Sequence, residues 1–228
     1  MGKCIFVTGT GTDIGKTYVT GLIVKKLHDA GLKAGYYKAA VSGADIAADG
    51  SLVPGDAAYV NTLAEIGETQ ENLVSYVYKE AVSPHLAAQI NHKPIELAKI
   101  QQDFSRAKEK YEYLTMEGSG GIICPLRYDD TCHLILDDMI KALDLGVLVI
   151  AEAGLGTINS AVLTIEHLQH CQIPVKGIIF NHFHPGDIME EDNRRMVEAL
   201  TGVKVIAVVG KGDTELAMDV KTLQSLYA

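Results

Sequence analysis

The residues with the clearest chemical potential form a glycine-rich loop near the N-terminus. The run Gly9-Thr-Gly-Thr-Asp-Ile-Gly-Lys-Thr17 follows an apolar, strand-like segment and precedes a helix-like one, which is the context that a phosphate-binding P-loop requires. Glycines let the backbone approach phosphates, and the N–H groups at the start of a helix attract negative charge. The backbone expected to line the phosphates belongs to Gly9, Thr12, Asp13, Ile14 and Gly15.

Two side chains complete this loop. Lys16 can reach the β- and γ-phosphates of a nucleotide, and the hydroxyl of Thr17 can ligate Mg²⁺. The spacing departs from the usual P-loop, because five residues instead of four separate Gly9 from Gly15. The alternative, a glycine-rich turn with a chance Lys-Thr pair, is disfavoured by the strand before and the helix after. The loop therefore predicts a nucleoside triphosphate site.

Acidic residues that could hold the metal follow in the chain. Glu117 ends a strand-like segment, directly before Gly118-Ser-Gly-Gly121, where an acid can bind Mg²⁺ directly or through water. Gly118 and Gly120 would let the backbone pass close to a ligand. Asp56 is a candidate second acid. A solvated loop glutamate and a helix N-cap remain the alternatives for Glu117 and Asp56.

Other polar side chains give weaker signals. Lys38 ends the second strand-like segment, and the carboxyl end of a parallel strand faces the ligand crevice, although an exposed edge lysine fits the pattern as well. His182 and His184 could hold a metal but have no third ligand in the sequence nearby. His167 and His170 are expected on a helix surface, and Asp137-Asp138 on a solvated helix face.

The elements that must position these residues alternate between strand-like and helix-like segments. Continuously apolar strands are typical of a parallel sheet that is covered on both faces. The pattern predicts an α/β fold of P-loop NTPase type, with one doubly wound, mostly parallel sheet, helices on both faces, and a single domain over residues 1–228. The predicted strands are Lys3–Thr8, Ala34–Lys38, Tyr111–Met116, Gly146–Ala151, Val175–Phe180 and Lys204–Val209. The predicted helices are Gly15–Ala30, Asp56–Ile66, Pro94–Lys110, Thr131–Leu143, Asn159–His170 and Ile188–Leu200.

Composition narrows the function classes. The 228 residues carry a net charge of −9, which argues against a general nucleic-acid binder because such a protein needs a basic face. No stretch of about 18 apolar residues occurs, so we expect no membrane span. Four cysteines without CxxC spacing, and an N-terminus that does not look like a signal peptide, predict reduced thiols and a cytoplasmic location.

Several of these segments, taken in order, resemble the dethiobiotin synthetase family of biotin biosynthesis. The resemblance runs from Lys3 to about Asn181, and it includes the long spacing of the P-loop. The segments that carry it are Phe6–Thr17, Tyr37-Lys38, Val41-Ser-Gly43, Asp56, Ser83-Pro-His85, Glu117–Gly121, Pro125-Leu126 and Leu155-Gly-Thr-Ile-Asn159.

The resemblance implies an ATP-dependent cyclo-ligase. Such an enzyme carboxylates 7,8-diaminononanoate with CO₂ or bicarbonate and closes a ureido ring, through a carbamate and a carbamic–phosphoric anhydride. ATP is the co-substrate and Mg²⁺ the metal. The resemblance also implies a homodimer with sites at the subunit interface, and neither nucleic acid nor a membrane as partner.

Residue roles follow from the resemblance by position. Lys16 would hold the transferring phosphoryl group, and Lys38 would neutralise the carbamate and the γ-phosphate. The metal ligands would be Thr17, Asp56 and Glu117, and the carbamate end of the substrate would accept hydrogen bonds from Thr12 and Ser42. The substrate's carboxylate tail would be received by Leu155, Gly156 and Asn159 of the neighbouring subunit. The nucleobase would lie at Asn181.

Departures from the family pattern concern the base and the tail. The segment Val208–Asp213 lacks the proline-tryptophan stretch that relatives often place beside the purine, and the chain contains no tryptophan. Gly154 replaces a longer side chain before Leu155. These differences affect base recognition and tail binding, and they leave the phosphate chemistry unchanged.

The alternative interpretation is a regulatory P-loop ATPase of the partition or septum-site type. Those loops carry a signature lysine where this chain has Gly11. The sequence also shows neither a basic patch nor an amphipathic C-terminal helix for DNA or a membrane. A glutaminase-linked synthetase is a third reading, but Cys124 shows no histidine mate.

Overall fold

A seven-stranded sheet forms the centre of the structure, a computed structural model that describes residues 2–228. The strands of the molecule are β1 (Lys3–Gly9), β2 (Ala34–Val41), β3 (Asp45–Ile46), β4 (Leu52–Val53), β5 (Val74–Val77), β6 (Tyr113–Glu117), β7 (Pro125–Asp129), β8 (Cys132–Ile135), β9 (Val147–Glu152), β10 (Val175–Asn181) and β11 (Val205–Val209). The central sheet has the order β11-β10-β9-β1-β6-β2-β5, and every neighbouring pair is parallel. The pairs β3–β4 and β7–β8 are separate antiparallel hairpins.

Helices cover both faces of the sheet. They are α1 (Lys16–Asp29), α2 (Gly55–Leu63), α3 (Gln70–Leu73), α4 (Pro84–Ile90), α5 (Leu97–Lys110), α6 (Leu136–Ala142), α7 (Thr157–His170), α8 (Ile188–Thr201) and α9 (Val220–Leu226). Between residues 2 and 228, no helix combines the length and apolar character needed to cross a bilayer.

Alternation along the central strands divides the core into two clusters. In β1, Cys4 and Phe6 belong to the cluster that includes residues of α4 to α8. Ile5 and Val7 belong to the cluster that includes residues of α1, α2, α3 and α9. Successive side chains of a strand point to opposite faces, so each face of the sheet is buried against its own helix layer. This arrangement confirms the predicted doubly wound α/β fold of P-loop NTPase type.

The six predicted strands are all present, with small shifts at their ends. The predicted helix Thr131–Leu143 is wrong in its first half, because Cys132–Ile135 is a strand that pairs with Pro125–Asp129. The turn between these strands is held by Asp129, whose carboxylate accepts hydrogen bonds from the backbone of Thr131 and Cys132 at 2.8 and 3.0 Å. An aspartate that bonds its own chain two residues on favours a turn over a helix.

Candidate active site

Three strands deliver the predicted polar residues to one edge of the sheet. Glu117, the last residue of β6, lies beside Val7 of β1 on one side and beside Lys38 of β2 on the other. The loop after β1 is the glycine-rich loop. Because the carboxyl ends of parallel strands meet at one edge, the loop, the lysine and the acid become neighbours although they are far apart in the sequence.

The glycine-rich loop wraps around the start of α1. Gly15 has φ 83°, a left-handed conformation that favours glycine. A Cβ added there would lie 2.1 Å from Nδ2 of Asn181. Asn181 is fully buried at the end of β10, and its Nδ2 donates to the carbonyl of Ile14 at 2.9 Å. Close packing at Gly15 thus lets a residue of a distant strand hold the loop in place.

Lys16 is the cation inside this loop. Its side chain is 8% exposed, and its Nζ donates to the carbonyl of Gly11 at 2.7 Å. Burial, followed by the nearby charge of Lys38, lowers the pKa of Lys16 from its ordinary value. Within residues 2–228, no carboxylate lies in salt-bridge range of Lys16, so this ammonium is available to an anion in the loop.

Glu117 accepts hydrogen bonds from three other side chains of the site. Its side chain is buried, and Oε1 accepts hydrogen bonds from Oγ1 of Thr17 at 2.8 Å and from Nζ of Lys38 at 2.7 Å. Its Oε2 accepts from the hydroxyl of Tyr36 at 3.1 Å. A solvated loop glutamate, the alternative for this residue, is therefore wrong. Tyr36 is not among the residues predicted from the sequence, and its only signal there is its position two residues before Lys38 on the same strand.

Lys38 links two carboxylates. Its Nζ contacts Oδ2 of Asp56 at 2.5 Å in addition to Glu117, and the lysine is 4% exposed. The strand β2 lies between β6 and β5, so the alternative of an exposed edge lysine is wrong. Asp56 lies in the first turn of α2, whose N-cap is Pro54. The N-cap alternative for Asp56 is wrong as well.

Mutual attraction favours the charged forms of Lys38 and Asp56. Burial opposes the charge of Lys38, but Glu117 and Asp56 outweigh it, and the pKa of Lys38 is raised. Burial likewise opposes the charge of Asp56, but Lys38 outweighs it, and the pKa of Asp56 is lowered. The stabilisation from this pairing is present at neutral pH. It is lost as the pH falls through the lowered pKa of Asp56, or rises through the raised pKa of Lys38.

The same oxygen atoms fit a magnesium ion. The hydroxyl of Thr17 and the carboxylates of Asp56 and Glu117 face a common centre, which the ammonium of Lys38 adjoins. Carboxylate and hydroxyl oxygens are the ligands that Mg²⁺ prefers, and it keeps several waters when bound by few protein groups. A centre that already favours a cation, and presents only oxygen ligands, suits this metal.

A cavity of about 430 Å³ joins the loop to these groups. Ligand pockets commonly have about this size. Beyond the predicted residues it includes Ser119, whose Oγ donates to the carbonyl of Ala40 at 2.9 Å and so ties β2 to the loop after β6. The lining residues are Thr12, Asp13, Gly15, Lys16, Thr17, Lys38, Ala40, Val41, Ser42, Asp56, Glu117, Ser119 and Gly120.

Some predicted residues lie outside this cavity. Gly9, Ile14 and Gly118 are buried next to it, and a Cβ at Gly118 would lie 2.7 Å from the ring of Phe6. The bond between Asn181 and Ile14 assigns Asn181 a structural contact, and its contact with a nucleobase stays a prediction. The proposed tail-binding residues lie in and after the loop that follows β9, and they are exposed: Leu155, Gly156 and Asn159.

A glycine-rich loop between a central parallel strand and a helix, facing a buried acid, defines a P-loop nucleotide-binding protein. A family model described as an AAA domain matches residues 3–214. The chain is 48% identical over 227 residues to an ATP-dependent dethiobiotin synthetase of Brachyspira hyodysenteriae, covering 100% of both proteins. It is 44% identical to the Clostridium botulinum enzyme of that name, covering 100% of this chain and 99% of the relative. The chain belongs to the ATP-dependent dethiobiotin synthetase family.

Solved structures with similar folds have other names. MinD in a MinC:MinD cell division complex of Aquifex aeolicus matches with a TM-score of 0.58 at 13% identity, covering 98% of this chain and 86% of the other. A ParA family ATPase of Chlorobium tepidum matches with a TM-score of 0.56 at 11% identity, covering 99% and 89%. At such low identity the likeness shows the fold alone. The similarity therefore supports a shared fold with these regulatory ATPases and gives no support to the alternative function.

Proposed function

We propose that the protein converts 7,8-diaminononanoate, CO₂ and ATP into dethiobiotin, ADP and phosphate. The observation that carries this proposal is the placement of two ammonium groups, Lys16 and Lys38, on one cavity with Thr17, Asp56 and Glu117. One ammonium, that of Lys16, lies in the phosphate loop. The other, that of Lys38, lies on β2 and lines the same cavity. Two cations suit a reaction that brings an anionic carbamate to an anionic phosphate.

The chemistry explains why a nucleotide is needed. One amine of the substrate adds to CO₂ and gives a carbamate, which is a poor electrophile because its charge is delocalised. A carbamate oxygen attacks the γ-phosphorus, ADP leaves, and the product is a carbamic–phosphoric anhydride. The second amine attacks the carbonyl carbon, the bond to phosphate breaks, and the ring closes. This last step gains from the effective molarity of a neighbouring nucleophile.

Each residue of the site would have a role in these reaction steps. Lys16 would hold the γ-phosphoryl group while it transfers, and Lys38 would exchange a carboxylate partner for the carbamate. Thr12 and Ser42 line the same cavity and would hydrogen-bond the carbamate end of the substrate. Mg²⁺, held by Thr17, Asp56 and Glu117, would neutralise charge on the β- and γ-phosphates.

Omission of single components tests the proposed reaction. Phosphate release should require diaminononanoate, bicarbonate and ATP together, and leaving out any one should abolish the stoichiometric release. Mass spectrometry of the complete mixture should show dethiobiotin. Rapid phosphate release from ATP alone, unchanged by the other two components, would favour the regulatory ATPase reading.

A magnesium titration tests the metal ligands. Replacing Asp56 or Glu117 with alanine should raise the Mg²⁺ concentration needed for half-maximal turnover by about tenfold or more, because even residues that only orient a metal ligand change affinity by about 10–100-fold. Asp45→Ala is the matched control, since Asp45 is exposed in the nearby β3–β4 hairpin. Unchanged titrations of both active-site variants would show that neither acid serves the metal.

We also propose a homodimer in which the two subunits share their sites. Leu155 is 92% exposed and Ile188 is 88% exposed, and burying such apolar surface favours association. The side chain of Asn193 on α8 donates to the carbonyls of Ala153 and Gly154 at 2.8 and 3.1 Å, so the loop carrying Leu155 is fixed against α8. These contacts hold the loop that carries Leu155 beside α8, the helix that begins at Ile188.

The tail of the substrate would meet this surface. Helix α7 begins at Thr157 directly after Gly156, and the N-terminus of a helix attracts a carboxylate. Asn159, exposed in the first turn, would add an amide donor. Because these residues do not line the cavity of their own subunit, we propose that they serve the site of the partner.

Mixing two inactive variants tests the shared site. Lys16→Ala disables the phosphate loop of one subunit, and Asn159→Ala disables the tail contact that it donates. A mixed dimer retains one site with both elements intact, so equal mixing should restore about a quarter of the wild-type sites. The measurement is turnover after subunit exchange, with exchange verified by differently tagged chains. Complete exchange without regained activity would indicate that each subunit has a self-contained site.

The cellular setting is the last part of the proposal. The cysteines at positions 4, 124, 132 and 171 are free in the structure, as expected in a reducing compartment. The net charge of −9 disfavours a nucleic-acid partner. Together these features support a cytoplasmic enzyme that acts on small molecules. The whole chain would form its single domain.

A further inference from the structure

Three potential metal ligands meet at a point that the proposed reaction does not use. They are Asp137 in the first turn of α6, His167 in the last turn of α7, and Cys171, which directly follows α7. Helix α7 starts at the carboxyl edge of the sheet, where the P-loop lies, and its last turn is roughly 20 Å away along the helix axis. The cluster is therefore separate from the cavity described above.

The sequence predicts His167 on a helix surface and Asp137 on a solvated helix face. The second expectation is wrong, because Asp137 is 2% exposed. Its Oδ2 lies 2.5 Å from Nε2 of His167 and 3.5 Å from Sγ of Cys171, and this sulfur lies 3.7 Å from the same Nε2. One oxygen, one nitrogen and one sulfur atom thus converge on a single small space.

These separations match the ligand spacing of a tetrahedral zinc ion. With ordinary Zn–S, Zn–N and Zn–O lengths, the edges of the tetrahedron measure about 3.6 Å between sulfur and nitrogen and about 3.5 Å between sulfur and oxygen. The observed 3.7 and 3.5 Å agree with them. The nitrogen–oxygen edge should be about 3.3 Å, so only the 2.5 Å contact between His167 and Asp137 must open to admit an ion.

A second observation also points to a missing partner. The other oxygen of Asp137, Oδ1, is buried and has no hydrogen-bond partner among residues 2–228. A buried carboxylate oxygen without a partner is unfavourable. A cation bound at Oδ2 would offset the negative charge of this carboxylate, and so lessen the cost of burying Oδ1 without a partner.

Charge and access agree with this interpretation. A thiolate, a carboxylate and a neutral imidazole carry two negative charges, which a divalent ion balances. The His167 side chain is 26% exposed, so an ion can enter from solvent and keep a water molecule in the fourth position. Thiolate and imidazole ligands favour zinc over magnesium, which distinguishes this cluster from the all-oxygen site near the P-loop.

We propose that Asp137, His167 and Cys171 form a second metal site, which binds Zn²⁺ and links the start of α6 to the end of α7. The spacing His167-x₃-Cys171 places two ligands one helical turn apart on the same side of α7. The third ligand comes from another helix of the same layer. A metal there holds the packing of these two helices and lies apart from the cavity near the P-loop, which no residue of α7 lines.

Cobalt titration of the nucleotide-free protein tests the site, because Co²⁺ reports a thiolate ligand through a charge-transfer band and a tetrahedral geometry through its visible bands. Wild-type protein should show both, at one equivalent of Co²⁺. Added Zn²⁺ should remove them, and Mg²⁺ should not. Absence of the thiolate band in wild-type protein would overturn the proposal.

Variants identify the ligands. Cys171→Ser should abolish the charge-transfer band, and His167→Gln and Asp137→Asn should each weaken Co²⁺ binding at least about tenfold. The matched controls are Cys132→Ser, which removes a partly exposed thiol elsewhere, and His170→Gln, which changes an exposed histidine of the same helix. Retention of the band in Cys171→Ser, or its loss in Cys132→Ser, would contradict the assignment.

Thermal stability gives an independent readout for any variant that binds weakly. Zn²⁺ at about a hundredfold excess over its Kd should raise the Tm of wild-type protein by about 5–10 °C. The two controls should show the same shift, and His167→Gln should show little or none. An equal shift in His167→Gln and wild-type protein would place the zinc elsewhere. Should Cys171→Ser fail to fold, His167→Gln and Asp137→Asn decide the assignment, because neither removes a buried volume.

Discussion

Replacing Lys16 with alanine should lower kcat by at least about a thousandfold while the protein stays folded. A cation placed on the transferring phosphoryl group contributes about this much in related transfers. The fold should survive because, among residues 2–228, Nζ of Lys16 bonds only the carbonyl of Gly11, so its removal leaves no buried carboxylate without a partner. Phosphate release in the presence of diaminononanoate and bicarbonate measures the effect.

A lysine of the same helix provides the control. Lys25 lies on α1 and pairs with Asp29 on the surface, so Lys25→Ala should keep turnover near the wild-type level. Circular dichroism and the melting temperature establish that both variants are folded. A folded Lys16→Ala protein with near-normal turnover would remove this residue from the mechanism, and with it the interpretation of the loop as the site of phosphoryl transfer.

Local patterns in the sequence predict the phosphate loop well. All its determinants lie within Gly9–Thr17, and the strand before it and the helix after it are set by short apolar runs. Glu117 and Lys38 follow less firmly, because each ends a predicted strand but a solvated loop glutamate and an exposed edge lysine fit the same local patterns. The parallel sheet then brings these ends together without further information from the chain.

Contacts between distant residues are what the sequence does not reveal. Tyr36 and Glu117 are 81 residues apart and bond only because β2 and β6 are neighbours. Asp137 and Cys171 are 34 residues apart and meet because α6 and α7 share a layer. The pattern around Cys132 predicts a helix because the apolar run Leu134–Leu136 continues into α6. Asp129 forms a turn just before this run. Hydrophobic periodicity does not detect such a turn.

Exchanging Lys38 for glutamine should separate catalysis from nucleotide binding. We expect kcat to fall by about 10²–10³-fold, the usual cost of one lost group that stabilises charge in the transition state, while the Kd for ATP changes less than about tenfold. The reason is geometric: Lys38 lies at the junction of Asp56 and Glu117 and not in the phosphate loop. Steady-state kinetics at saturating ATP and direct nucleotide titration give the two quantities.

Stability must be measured alongside, because Lys38→Gln also leaves two carboxylates without their shared cation. Removing one member of a buried ion pair commonly costs about 3–5 kcal/mol, and partial exposure of Asp56 reduces that here. The double variant Lys38→Gln with Asp56→Asn removes one negative charge, so its melting temperature should recover toward wild type while turnover, measured at saturating Mg²⁺, stays low. Recovery of turnover with stability would show that Lys38 acts only through the fold. A loss confined to nucleotide affinity, with kcat intact at saturating ATP, would assign it to nucleotide binding instead.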